Sequence, residues 1–381
     1  MLAFEKLRVA FWRERSAEER LLFCCARQDF DEVWQARACD IIEAEPIDWD
    51  KVLAISVLHQ VAPLIYRNLQ AKAELVRRVP GATLLRFRQA LLLNIDNKKA
   101  LATALRDSLA WFESLGVDVL LVKGTSLDVV LYEEAWFTVS QDLDLVLDAD
   151  WDSFDGATQK RILEMNVARP LIDVHCHRHA DLVMNGLLPL DFGRIIATAR
   201  RCQVQGHPAL LMRTEDELLC ACIQSFRKRY FRLKSIVEVA ELIERFGEGA
   251  NHPLDWDAFL DRAVQEGCGG IVYAALVAAH VTHGCVLPEH LHERLRVGAV
   301  SKLLVHSLTR RLSCTSLEAL YVDRFVRGKM LGRGLLLPYA SIGLRKLGRS
   351  LRIVSSQLRR GGASDRRDDD ASNGEKSGDH R

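Results

Sequence analysis

The residues best equipped for chemistry are two aspartates one residue apart. In Gln141-Asp-Leu-Asp-Leu-Val-Leu, Asp142 and Asp144 alternate with Leu143 and Leu145, which predicts a strand whose alternate side chains share a face. The carboxylates then project together while the leucines point into the core. Side by side on a rigid strand they repel each other unless a cation stands between them. Mg²⁺ is the usual occupant, completing its shell with phosphate oxygens and water. Asp173, in the strand-like run Leu171-Ile-Asp-Val-His-Cys-His, offers a further oxygen ligand, the arrangement a two-metal phosphoryl-type transfer uses. Upstream, Lys123-Gly-Thr-Ser ends the β-branched run Val117-Asp-Val-Leu-Leu-Val and precedes Leu127-Asp-Val-Val-Leu-Tyr, which can start a helix. Backbone N–H groups at Gly124, Thr125 and Ser126, with two hydroxyls and the helix dipole, would make an anion site for a triphosphate. Each piece alone is common. The order strand, Gly-Thr-Ser, helix, strand with Asp-Leu-Asp, strand with Asp is far more restrictive.

Taken together, Lys123-Gly-Thr-Ser, Gln141-Asp-Leu-Asp-Leu-Val-Leu and Ile172-Asp-Val-His-Cys-His-Arg resemble the pattern of the uncharacterised nucleotidyltransferase family of the DNA polymerase beta superfamily. The flanks Asp48-Trp-Asp-Lys-Val-Leu, His59-Gln-Val-Ala-Pro-Leu-Ile, Glu215-Asp-Glu-Leu-Leu and Arg232-Leu-Lys-Ser-Ile-Val-Glu-Val-Ala-Glu-Leu look like that family's helical regions, so the resemblance covers roughly residues 45 to 290. It implies a small mixed sheet between helical segments that binds a nucleoside triphosphate with Mg²⁺. By position, Lys123, Gly124, Thr125 and Ser126 would hold the phosphates, and Asp142, Asp144 and Asp173 the metal. Asp173 would also help deprotonate the acceptor hydroxyl. The implied reaction moves a nucleoside monophosphate from an NTP to a hydroxyl acceptor and releases pyrophosphate; the acceptor can be a small molecule, a protein or RNA. Where the family usually carries an Arg shortly before its first Asp, this chain has Phe137-Thr-Val-Ser-Gln, and only 28 residues lie between Asp144 and Asp173. Those departures suit a second reading, a catalytically degenerate binding or regulatory module on the same fold.

Several other groups compete for a role. His175, His177 and His179 alternate and would share a face with Asp173 on an extended strand, with His175 nearest the carboxylate. Between Arg227 and Lys234, RKRYFRLK places five cations with two aromatics. A charge run defaults to a solvated helix face, whereas the resemblance turns Lys234 or its neighbours toward the triphosphate, where a cation would offset charge on the departing pyrophosphate.

The elements that must position these residues form an α+β, mainly helical fold. Apolar spacing of three and four predicts helices from Ser16 to about Gln70 and a long helix over roughly Leu84 to Leu115, with Leu91, Leu92, Ile95, Leu101, Leu105, Leu109, Trp111 and Phe112 as its core stripe. A nucleotidyltransferase-like α/β core is expected over 116–212 between an N-terminal helical region, 1–115, and a C-terminal helical domain, 213–321, with breaks at Gly247–Pro253 and Gly267–Gly270. Residues 322–360 form a basic amphipathic segment: from Arg324 to Arg360 there are ten cations and no Asp or Glu. It suits packing on the core, an anionic surface or nucleic acid. Residues 361–381 carry no aliphatic or aromatic side chain larger than Ala and are expected to be disordered.

Composition bounds the rest. The chain has 381 residues, 49% hydrophobic and 27% charged, with a net charge of +1, which excludes collagenous, disulfide-stapled and wholly disordered classes. The near-neutral total hides opposed local fields, carboxylates around Asp142 and cations after Arg324. The first twenty residues lack an uninterrupted apolar signal region, and Gly334–Leu344, the longest apolar candidate, is too short to span a bilayer. With ten scattered cysteines reading as small buried hydrophobes, the expected compartment is the cytoplasm.

Overall fold

The computed structural model describes residues 2–168, 170–176, 190–228, 232–247 and 253–310. The basic segment 322–360, the tail 361–381, His177, His179 and the centre of the RKRYFRLK run, 229–231, lie outside the described residues. What is described is mainly helical around one five-stranded mixed sheet.

Six helices between Leu2 and Arg78 precede a 34-residue helix, Gly81–Ser114. Local chemistry sets the starts of several. Ser16 accepts from the Glu19 backbone while the Glu19 side chain bonds back to the Ser16 N–H, and Asp31 and Asp48 cap the next helices by accepting from the Trp34 and Lys51 N–H groups. The long helix differs from its expected stripe in phase. Its buried residues include Phe87, Asn94, Lys98, Leu101, Leu105, Leu109 and Phe112, whereas Leu92 and Leu93 are 49% and 73% exposed. A face that continues from Leu101 at helical spacing passes through Lys98 and Asn94; two polar residues, not Leu92 and Ile95, therefore complete it.

The strands are β1 (Val119–Val122), β2 (Asp142–Leu147), β3 (Leu171–Cys176), β4 (Arg200–Val204) and β5 (His207–Leu211), in spatial order β3-β2-β1-β5-β4. β1 runs antiparallel to β2 and parallel to β5, and β2 runs parallel to β3. The helix Gly156–Met165 occupies the connection between β2 and β3, so the short stretch between Asp144 and Asp173 still supplies the crossover that parallel strands need. β4 and β5 form a hairpin that the sequence reading passed over. Its two turn residues, Gln205 and Gly206, both have positive φ, at 54° and 85°, the conformation a two-residue hairpin turn requires.

Alternation divides the sheet into two packed faces. Val119, Leu121, Leu143, Leu145, Ile172 and Val174 meet Leu101, Leu105, Leu109 and Phe112 of the long helix and Ile162 of the crossover helix. Leu120, Val122, Val146 and Leu210 point the other way into the larger core, built with helices from both flanks, among them Thr214–Arg227, Leu233–Arg245 and Gly269–His283. Asp142 and Asp144 are in phase with Val146, so they emerge on this second face where the helical body leaves a cleft. Among the described residues no helix is long and apolar enough to cross a membrane.

Candidate active site

The cleft has a volume of about 300 Å³, and Lys123, Gly124, Asp142, Asp144, Asp173 and Lys234 all line it. Register explains the gathering of the carboxylates. Val122, the last residue of β1, pairs with Asp144, and Asp144 pairs in turn with Asp173 on β3. Lys123 thus leaves β1 beside Asp144, and its Nζ bonds to Asp144 Oδ1. The Asp144 carboxyl lies almost fully inside the protein, and burial, aided by the charges of Asp142 and Asp173, pushes its pKa up against the pull of Lys123. Asp173 is more open, its side chain 40% exposed. His175 shares its strand face, with Nε2 3.0 Å from Asp173 Oδ1 but not aligned as a hydrogen bond.

Gly124-Thr-Ser is the first turn of a seven-residue helix, Gly124–Val130, rather than a loop ahead of it. Thr125 and Ser126 do not line the cleft; they are 2% and 0% exposed. The Asp144 N–H donates to Thr125 Oγ1 at 2.9 Å, and Ser126 Oγ donates to Glu217 Oε2 at 2.7 Å. The two hydroxyls therefore fasten the turn to β2 and to the helix Thr214–Arg227. Gly124 faces the cleft because a Cβ there would stand 3.0 Å from Ser140 Oγ and 4.0 Å from Lys234 Nζ.

Behind the turn lies a buried polar network that sequence reasoning missed. Lys98 reaches from the long helix to Asp128, and its Nζ lies 2.9 Å from Ser140 Oγ. Neighbouring amides hold the chain leading into β2: Asn97 Nδ2 donates to Ser140 O at 2.6 Å and Asn94 Nδ2 to Thr138 O at 2.9 Å. Glu217, fully buried, has its pKa raised to about 8, chiefly by burial. The available signal was the placement of Asn94 and Lys98 in phase with Phe87 and Leu101, since polar residues on a core face require partners.

The cations come from the far wall. Arg227, Lys228, Arg232 and Lys234 line the cleft. Burial lowers the Arg227 pKa, while Asp144, Asp173 and Asp142 act to raise it, which places that guanidinium in the field of all three aspartates. Lys234 Nζ lies 2.8 Å from Glu238 Oε1. Burial works against its charge, but Glu238, with Asp128 and Asp142, outweighs burial and raises its pKa. His59 fixes the start of that helix: the Leu233 N–H donates to His59 Nδ1 at 3.0 Å, and the Lys234 N–H donates to its carbonyl oxygen at 3.3 Å.

Residues 45–284, more than half the chain, match the sequence model of a family described as uncharacterised nucleotidyltransferase. The chain belongs to this family. The match takes in every cleft residue named above, and the observed helical fold with a mixed sheet agrees with the fold that the resemblance implied. Among solved structures, an antigenic nucleotidyltransferase-like protein from Paracoccidioides brasiliensis is similar at 13% identity and a TM-score of 0.34, covering 52% of this chain and 94% of its own. No curated protein matches the sequence.

Asp142 and Asp144 of β2 and Asp173 of β3 supply oxygen donors that suit a hard divalent cation, and the thiol of Cys220 also lines the cleft. As the side chains stand, no group of three His, Cys, Asp or Glu among the described residues is gathered closely enough to hold an ion. Lys123 is engaged on Asp144 instead.

Proposed function

We propose that this member of the nucleotidyltransferase family transfers a nucleoside monophosphate from an NTP to a hydroxyl acceptor and releases pyrophosphate. The observation that carries the reading is one cleft in which Asp142, Asp144 and Asp173 face Arg227, Lys228, Arg232 and Lys234. Five carboxylates and five cations line it, and Glu217, raised to about 8, is largely neutral at pH 7. The wall therefore carries a small positive excess there, which suits a triphosphate.

Asp142 and Asp144, with Asp173, would hold Mg²⁺, which supplies charge neutralisation and orientation of the transferring phosphoryl group. Arg227, Lys228, Arg232 and Lys234 bind the β- and γ-phosphates and stabilise the charge that builds on pyrophosphate as it leaves. Gly124 lets those phosphates approach the turn, since any side chain there meets Ser140. Asp173, more accessible than Asp144, accepts the proton of the acceptor hydroxyl. Thr125 and Ser126 act one step back by fixing Asp144 and the turn.

The alternative, a nucleotide-binding module without transfer, is favoured by the same Lys123–Asp144 bond, because an ammonium already neutralises the deepest carboxylate. Thermal-shift titration with the four common NTPs, with and without Mg²⁺, together with transfer of labelled NMP to size-fractionated cell extract, separates the two. Transfer and Mg²⁺-dependent stabilisation that both vanish in Asp142→Asn/Asp144→Asn support the enzyme. Stabilisation by NTP that ignores Mg²⁺, without transfer, supports the module.

A further inference from the structure

Lys123 has a backbone that few lysines adopt, with φ 55° and ψ −134° at the residue before the Gly124 helix. A non-glycine residue in the positive-φ half of the map is held there by its surroundings, and such positions cluster at functional sites. Glycine would take this conformation freely, so the lysine is kept for its side chain. That side chain is 16% exposed and ends on Asp144, which is 6% exposed and has its own N–H tied down by Thr125. One partner of the pair thus has its main chain fixed within β2. The other is an ammonium on a flexible four-carbon stem.

We propose that Lys123 is a displaceable internal counter-cation of Asp144, so that a divalent ion enters only as the ammonium leaves Asp144 for the phosphates of the incoming nucleotide. This rests on the nucleotidyltransferase reading and adds to it a means of coupling metal entry to substrate. An ammonium and a divalent ion cannot both contact Asp144 Oδ1 without strong repulsion in so buried a place. Leaving Asp144 with neither is also costly, because an uncompensated buried carboxylate is destabilising. Exchange of one cation for the other avoids both states. The freed ammonium has a destination beside it, since Lys123, Gly124 and Lys234 border the same cleft.

The test uses the full-length protein and Mn²⁺ alone, read by the paramagnetic resonance of the free ion. Lys123→Met binds Mn²⁺ at least about tenfold more tightly than the wild type, the ratio set by a charge interaction of one pKa unit. It melts at a lower temperature than the wild type, and Mn²⁺ restores that loss. Lys123→Arg keeps the charge and stays within about threefold of the wild type by the same scale. Equal or weaker Mn²⁺ binding by Lys123→Met, or an equal gain in Lys123→Arg, overturns the proposal. Should Lys123→Met not fold, brief acetylation of the wild type followed by mass spectrometry decides the matter. Lys123 is acetylated faster at saturating Mn²⁺ if it is displaced, and an unchanged rate overturns the proposal. Mn²⁺ bound equally with and without Lys123 sinks only this coupling, whereas no Mn²⁺ binding by any form, with or without nucleotide, removes the metal from the proposed function and the coupling with it.

Discussion

Asp144 and Asp173 are register partners on adjacent parallel strands, one enclosed and paired with Lys123, the other open to the cleft. That asymmetry separates the consequences of removing each. Asp173→Asn changes stability less than Asp144→Asn does, since its half-buried carboxylate opens to the cleft, yet lowers transfer roughly 100-fold or more if it serves as general base. Asp144→Asn abolishes transfer and also shifts the melting temperature, because it strips Lys123 of its partner. Thermal melts run beside labelled-NMP transfer check both outcomes.

Lys98 is expected to matter more for folding than its distance from the aspartates suggests. Its ammonium sits among Asp128 and Ser140 at 6% exposure. Burial lowers the Lys98 pKa and raises that of Asp128, against the attraction between them. Lys98→Met leaves a buried carboxylate unpaired and costs about 3–5 kcal/mol in urea unfolding. In the double variant Lys98→Met/Asp128→Leu much of that loss returns, since exchanging a buried pair for apolar groups of similar volume is often close to neutral. A double variant no more stable than the single one counts against the pair as the source of the loss.

The buried glutamates predict a pH dependence of stability. Glu217 is raised from 4.5 to about 8 and Glu241 from 4.5 to about 7, each chiefly by burial. A carboxyl with a raised folded pKa binds its proton more tightly in the fold. Its stabilising contribution is therefore complete below the unfolded value and is lost as pH rises through the folded one. The melting temperature declines between about pH 5 and about pH 8 for this reason. Glu217→Gln can still accept from Ser126, flattens part of that decline and melts higher than the wild type at the alkaline end. A parallel pair of melting curves across pH tests it.

Gly124→Ala probes the width of the cleft. The added methyl meets Ser140 Oγ at 3.0 Å, and that hydroxyl is bonded to Lys98, so it yields only by giving up a bond. We expect a stability change of about 1 kcal/mol, the worth of one hydrogen bond, and roughly tenfold weaker NTP binding, equivalent to about 1.4 kcal/mol. Titration calorimetry with NTP measures the second quantity directly.

Much of this site is legible from spacing alone. Asp142 and Asp144 alternate with leucines, and the structure places the two pairs on opposite faces of β2 as that pattern requires. Lys234, singled out within a charge run, does reach the cleft. What stayed hidden depends on contacts between distant segments. Nothing near Glu217 announces that Ser126, 91 positions earlier, donates to it. Lys98 lies on a helix whose leucines drew attention to Leu91, Leu92 and Ile95, while the buried face ran through polar residues. The β4–β5 hairpin escaped because its turn is Gln205-Gly206, without the Asn-Gly or Asp-Gly that marks such turns most clearly.

The 34-residue helix Gly81–Ser114 spans about 50 Å at 1.5 Å per residue, and it lends Asn94, Asn97 and Lys98 to the approach to β2. A fragment beginning at Val117 would retain every aspartate of the cleft and yet lose the scaffold that aims two of them. Minimal versions made by trimming to the sheet should therefore be inert for reasons of alignment rather than chemistry, and grafting the Asp-Leu-Asp strand elsewhere will require this helix as its splint.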